Sequence, residues 1–250
     1  MGKEDHIIQE MDHFSSELKK FTSSLRGLEA YRLPQRAYHI IRLAIRDLVL
    51  MPGRTILERE MAETLEMSRT PVREALVRLE TEGMVRLIPR RGFIVESIAQ
   101  NDLKDIYEII ETMDGLAVEK ATSTITEDEI SQLEQLIEKQ EKALNEENLK
   151  AWAILDDEFH HLIITFARNK RLSSVIEIHS DQLYRARLLT ISERPLPKKS
   201  IIEHQAIIAC MKAGDGNAAR MVMQSHRNRA RNEILHVINS VNDRMETDQT

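Results

Sequence analysis

From Ile98 to Arg194 the chain contains no proline and a single glycine, Gly115. So long a stretch without the two residues that interrupt helices, in a chain with 4% aromatic residues, excludes a sheet-rich fold there and points to a helical bundle. Apolar spacing divides this region and the chain beyond it into helices at about 102–122, 127–146, 148–168, 170–191, 198–213 and 216–242. Thr126 and Glu129 form a capping box for the second of these. Arg194, Pro195, Leu196 and Pro197 break the chain before the fifth, and Gly214, Asp215 and Gly216 separate the fifth from the sixth. The expectation is an all-α domain over residues 101–242.

The preceding segment, 34–97, has a different pattern. Ala37 to Leu50 carries Ile40, Ile41, Ala44, Ile45 and Leu48 on one side and stops at Met51, Pro52 and Gly53. A short helix follows from about Leu57 to Glu66, and a third opens at Ser68 or Thr70, with a hydroxyl N-cap and Pro71 in its first turn, and ends near Gly83. Val72, Ala75, Leu76 and Leu79 give this third helix a buried face, while Arg69 and Arg73 project from its N-terminal turns. Val85 to Ile88 and Phe93 to Val95 are β-rich runs around Pro89, Arg90, Arg91 and Gly92, a hairpin pattern. Three helices and a hairpin make a winged helix-turn-helix, in which paired arginines at the start of the third helix meet base edges in the major groove. The fold class is therefore mostly α, a winged helix-turn-helix followed by a helical bundle.

Charge distribution supports this division. The whole chain has a formal net charge of −6, but residues 34–97 hold eleven arginines and no lysine against nine carboxylates, a net of +2 that leaves −8 elsewhere. Positive charge is concentrated where phosphates would be met. One cysteine, Cys210, leaves no internal disulfide framework, and no apolar run is long enough to span a membrane. Without an export signal at the N-terminus, a cytoplasmic protein is expected.

Residues 1–33 form an extension of their own. Ile7, Met11, Phe14, Leu18, Phe21, Leu25 and Leu28 alternate spacings of four and three, the pattern of a coiled-coil seam. Such an amphipathic helix either docks on a partner subunit or packs on the chain's own surface.

Within the helical domain, Asp156 and His160 lie four apart at the edge of an apolar stripe, and His204 and His226 fall on the inward sides of two later helices. Three imidazoles and a carboxylate aimed at one interior suit a divalent transition metal of the zinc, nickel or manganese class; buried histidines satisfied by hydrogen bonds are the other reading.

Residues 34–97 resemble the DNA-binding domain of the GntR family of bacterial transcription regulators in Pro52, Gly53, Leu57, Glu58, Glu60, Ala62, Ser68 to Leu76, Leu79, Glu80, Gly83, Val85 and Pro89 to Gly92. The resemblance implies that Arg59, Arg69 and Arg73 lie near bases or adjoining backbone, that Ser68 and Thr70 meet phosphates, and that Arg90, Arg91 and Gly92 form a wing with Gly92 at its tip. Residues 101–240 resemble the FCD ligand-binding domain of the FadR branch of that family, through Asp156, Glu158-Phe159-His160, Glu203-His204 with Ile207, and Gly214-Asp215 leading to His226. This implies one metal ion per subunit held by Asp156, His160, His204 and His226, with a position left for a small organic-acid effector. Members often carry an arginine soon after a Tyr-Glu pair in the first helix, whereas Tyr107-Glu108 is followed by Ile109 and Ile110. An effector pocket would then draw on Tyr107 with Arg185 or Arg187.

The function expected is a regulator, a repressor, that binds a palindromic double-stranded DNA operator as a homodimer under the control of a carboxylate effector, with no membrane partner. The competing reading is a metal-dependent hydrolase fused to a DNA-binding module. Catalysis needs a general base near the metal, and Glu158 lies on the wrong side of its helix.

Overall fold

A computed structural model describes residues 15–247. The chain divides into two compact units, one ending at Ser97 and one running from Ile98 to Arg244.

The first unit opens with helix α1 over residues 15–24. It continues through α2 (Leu33–Arg46), β1 (Thr55–Ile56), α3 (Glu58–Thr64), α4 (Arg69–Thr81), β2 (Val85–Ile88) and β3 (Gly92–Val95). Its core packs Ala37, Ile40, Ile41, Ala44 and Ile45 of α2 with Val72, Ala75, Leu76 and Leu79 of α4, all at most 2% exposed. Each buried isoleucine, leucine or valine among them contributes about 1.5–3 kcal/mol.

Several local details depart from the sequence expectation. α2 begins at Leu33, not Ala37, because Pro34 supplies a preset φ in the first turn. It ends at Arg46, since Leu48 adopts φ 59 and the Leu50 N–H folds back to the Ala44 carbonyl at 2.9 Å. Ser68 does occupy the N-cap of α4, but its hydroxyl makes no capping bond. Gly83, at φ 72, ends the α4 region as a left-handed residue.

The hairpin gains a third strand that two residues of sequence could not announce: the antiparallel sheet has order β1-β3-β2, with Thr55 opposite Ile94 and Ile56 opposite Phe93. Gly92 is consequently not the wing tip. It pairs with Ile88 as the first residue of β3, and a Cβ there would lie 2.6 Å from the Ile56 carbonyl oxygen. The tip is Pro89 to Arg91, with Arg90 at φ 68.

The N-terminal seam is also modified. Leu18 is fully buried in the winged-helix core, with Phe21, Leu25 and Leu28 packed against it, so this apolar face docks on its own domain. Helix α1 stops at residue 24, and Gly27 at φ 80 turns the chain, so Leu25 and Leu28 lie beyond the helix instead of prolonging it. Ile7, Met11 and Phe14 lie outside the described residues.

The second unit is helical throughout: α5 (Gln100–Thr122), α6 (Glu127–Asn145), α7 (Leu149–Phe166), α8 (Lys170–Thr190), a 3-10 turn (Ile191–Glu193), α9 (Lys198–Lys212) and α10 (Gly216–Thr247). The Thr126/Glu129 capping box forms as expected, and Arg168 braces the same Glu129 carboxylate at 2.9 and 3.1 Å. Side-chain oxygens of Asn148 and Asn169 cap α7 and α8. A core of Leu103, Ile110, Leu133, Trp152, Phe159, Ile207 and Met223 runs between the helices. Among the described residues, no helix is long and apolar enough to cross a membrane.

Candidate functional site

Two constellations stand out, one in each unit. In the winged-helix unit, burial alternates along α4 so that Val72, Ala75, Leu76 and Leu79 face inward while Arg69, Thr70, Arg73, Glu74 and Val77 face solvent. With Glu58 these outward residues line a concavity of about 560 Å3. Arg73 Nε lies 3.8 Å from Glu58 of α3, and Arg59 pairs with Glu63 at 3.7 Å along that helix, yet both arginines remain about two-thirds exposed. Their guanidinium groups are thus placed but not consumed. Arg90 and Arg91 are exposed at the wing tip. Glu80 near the end of α4 accepts a bond from the Leu87 N–H at 2.9 Å, which fixes the wing against the helix.

The helical unit brings Asp156 and His160 of α7, His204 of α9 and His226 of α10 into one buried cluster, each at most 4% exposed. One ligand nitrogen from each of the three histidines lies within 4.8 Å of the others. His226 Nε2 is 3.2 Å from His160 Nε2, and Asp156 reaches His204 Nε2 at 3.7 Å and His160 Nε2 at 4.0 Å.

The neighbours determine which nitrogens carry protons. Gln140 donates its amide to the Leu155 carbonyl at 3.1 Å, so its Oε1 accepts from His204 Nδ1 at 3.1 Å. Glu203 accepts from His226 Nδ1 at 2.7 Å and is itself gripped by Arg229. Both imidazoles therefore turn an unprotonated Nε2 toward the cluster centre.

Electrostatics push in the same direction. Burial drives His160 and His204 well below the ordinary imidazole range, with neighbouring cationic groups adding to the effect. His226 is lowered as well, because burial outweighs the Glu203 hydrogen bond. Burial would raise the Asp156 carboxyl, but neighbouring positive charge, Arg187 above all, holds it below the usual value. Neutral imidazoles beside an ionised carboxylate are the protonation states a metal needs.

The fit to a cation rests on unmet polar atoms. Asp156 Oδ1 and His204 Nε2 are buried without a hydrogen-bond partner at the centre of the cluster. A zinc ion bound at about 2.0–2.1 Å places its ligand atoms some 3–4 Å apart, close to the spacings seen.

The expected effector residues separate. Arg187 reaches Asp156 at 3.0 Å and Asp157 at 3.6 Å, and Tyr107, 1% exposed, has Arg187, Arg227 and Arg194 around it. Arg185 lies apart from this group, bonded to Gln182 at 2.8 Å beside Asp181, because two residues of helix turn it away from Arg187. Glu158 is exposed on α7, away from the cluster.

Sequence reasoning missed Gln140, Asp114, Arg194 and Arg227, and quoted Glu203 only as the neighbour of His204, without a role of its own. Arg227 forms a buried ion pair with Asp114 at 2.5 Å. The available signal was adjacency: Glu203 precedes His204, and Arg227 follows His226.

Comparison with known proteins bears on both constellations. Residues 33–95 match the family described as bacterial regulatory proteins, gntR family, and residues 105–229 match the FCD domain. The chain is 29% identical over 202 residues to the HTH-type transcriptional regulator YdhC of Bacillus subtilis, covering 80% of this chain and 90% of that one. It is 29% identical over 192 residues to the HTH-type transcriptional repressor RspR of Escherichia coli, covering 77% and 84%. Among solved structures, Escherichia coli McbR/YncC superposes with a TM-score of 0.72 at 22% identity, over 82% of this chain and 98% of that one. The domains and the relatives are those of regulators and not enzymes, which removes the hydrolase reading. The chain belongs to the GntR family, in the FadR-like branch that joins a helix-turn-helix to an FCD domain, and is a transcriptional regulator with a DNA-binding domain and an effector-binding domain.

Proposed function

We propose that this regulator binds a palindromic operator as a homodimer, acts as a cytoplasmic repressor, and answers to a small carboxylate effector at a divalent-metal centre. Asp156, His160, His204 and His226 would hold the ion, from the zinc, nickel or manganese class, one per subunit. The observation that carries the metal reading is the buried Asp156 Oδ1 and His204 Nε2, two acceptors facing each other without a donor between them. A bound divalent ion supplies a positive charge and a Lewis-acidic position for an effector carboxylate.

The chain's own residues set the rest of the pocket. Arg187 neutralises and orients Asp156, and Gln140 and Glu203 fix the His204 and His226 rings. Arg187, Arg194 and Arg227 around Tyr107 favour an anion, although each also has a carboxylate partner. This cationic surround takes the place of the first-helix arginine that Ile109 and Ile110 do not provide.

In the winged-helix unit, Arg69 and Arg73 read bases, Ser68 and Thr70 meet phosphates, and Arg59, Arg90 and Arg91 flank the groove, with Gly92 shaping the wing from within. One winged domain reads few base pairs, so a two-fold pair and an inverted repeat are required for specificity. RspR, described as a repressor, supports that sign of control. Titrating a metal-loaded protein on its selected operator with a panel of small mono-, di- and tricarboxylates tests the effector reading. Release by at least one class is expected, and release by none, with binding intact, contradicts it.

A further inference from the structure

Four apolar side chains of α4, Val72, Ala75, Leu76 and Leu79, are at most 2% exposed, whereas Val77 is 48% exposed. Val77 is therefore not a core residue. A single exposed valine on a protein surface requires no explanation, but this one continues the row Arg69, Arg73, Val77 at intervals of four and lines the same concavity as both arginines. The neighbouring residue belongs to another face. Arg78 is stacked 3.7 Å above the Tyr38 ring and bonded to Glu82 at 3.0 Å, so it is engaged within the domain and turned away from that concavity.

We infer that Val77 is a specificity-determining residue whose isopropyl group meets the 5-methyl group of an operator thymine. The thymine methyl is the one apolar feature that a base pair shows in the major groove, and it is read by apolar contact. Val77 lies one helical turn, about 6 Å, beyond Arg73. With bases stacked about 3.4 Å apart, the thymine lies about two base pairs from the base read by Arg73. Arg69 and Arg73 contribute hydrogen bonds to base edges, and Val77 contributes discrimination by shape and loss of water. The inference rests on α4 being the element that enters the groove.

The test uses the full-length chain and an operator selected from a randomised duplex pool by the wild-type protein. Each thymine of one half-site is replaced in turn by deoxyuridine, which keeps the base pair and removes only the methyl group. One position weakens wild-type binding roughly four-fold, the ratio expected for one methyl group lost from an apolar contact. Val77→Ala binds the thymine operator about as weakly as wild type binds the uracil one, and it no longer distinguishes the two. Alanine favours the helix, so this variant stays folded.

Indifference of the wild type to every replacement, or a Val77→Ala protein that still senses the methyl, overturns the inference. Arg73→Ala keeps the two failures apart. If it loses base preference while Val77→Ala and uracil change nothing, only the Val77 role falls; if it keeps full preference, the groove-reading role of α4 falls with it.

Discussion

Asp156 Oδ1 and His204 Nε2 face each other at 3.7 Å inside the helical unit, and neither has a hydrogen-bond partner. The Gln140 contact places the His204 proton on Nδ1, so two lone-pair atoms meet where water is excluded. An unmet buried acceptor costs about 1–3 kcal/mol. Unmet acceptors of this kind make an unfavourable core, and a cation shared among the four side chains would offset that cost.

The outer partners of that site are testable without touching a ligand. Glu203→Ala and Gln140→Ala should each lower divalent-metal affinity about 10–100-fold, because they release the rings of His226 and His204. Competition with a chromogenic chelator measures this. Unchanged affinity in both variants would show that these contacts serve packing alone.

On the DNA side, Arg69→Ala and Arg73→Ala should each cost about 1–3 kcal/mol on the selected operator and relax preference at one position per half-site. Thr70→Ala should weaken all sequences evenly, since phosphate contacts hold no base information. Gel-shift titrations across single-base operator variants separate the two patterns.

Leu18 anchors α1 in the winged-helix core at 0% exposure. Leu18→Ala should destabilise that unit by about 2–5 kcal/mol, read as a lower urea midpoint for it. A midpoint unchanged from wild type would mean that α1 does not contribute to the core there.

Glu129 supplies a pH-dependent contribution. Burial would raise its carboxyl, but the Thr126 backbone N–H and Arg168 hold it below 4.5. A carboxyl with a depressed folded-state pKa contributes stability that is present above pH 4.5 and lost as pH falls through the folded value. At pH 7, Glu129→Ala should be less stable than wild type by about 0.5–2 kcal/mol, and the gap should narrow in acid. Urea unfolding at neutral and acid pH compares the two, and a gap independent of pH would assign the loss to helix propensity instead.

Most of the helical unit could be read from residue spacing, because Thr126, Pro195, Pro197 and Gly214 mark boundaries by local chemistry. The inward placing of His204 and His226 followed from register with Ile201, Ile208, Val222 and Ala230 in the same way. What escaped was set by contacts distant in sequence. β1 is two residues long and exists only because Phe93 and Ile94 pair with it. Gln140 reaches His204 across 64 positions, and Arg227 reaches Asp114 across 113, separations at which spacing gives no guidance. Glycine fits turns, so the sequence pattern places Gly92 at the wing tip, whereas its absent Cβ makes room for the Ile56 carbonyl. The α1 seam carried the right apolar face, but Gly27 ended the regular pattern.

The central claim, that Asp156, His160, His204 and His226 form a metal centre within a DNA-binding regulator, is tested most directly by elemental analysis with parallel melting curves. Wild-type protein should carry about one divalent ion per chain, and His204→Ala should lose it. A ligand that binds only the folded state stabilises by about 2.7 kcal/mol at a hundred times its Kd, so chelation should lower the wild-type melting temperature and leave the variant unaffected. Wild-type protein that holds no zinc, nickel or manganese after each is added, and melts at one temperature with or without them, would contradict the account.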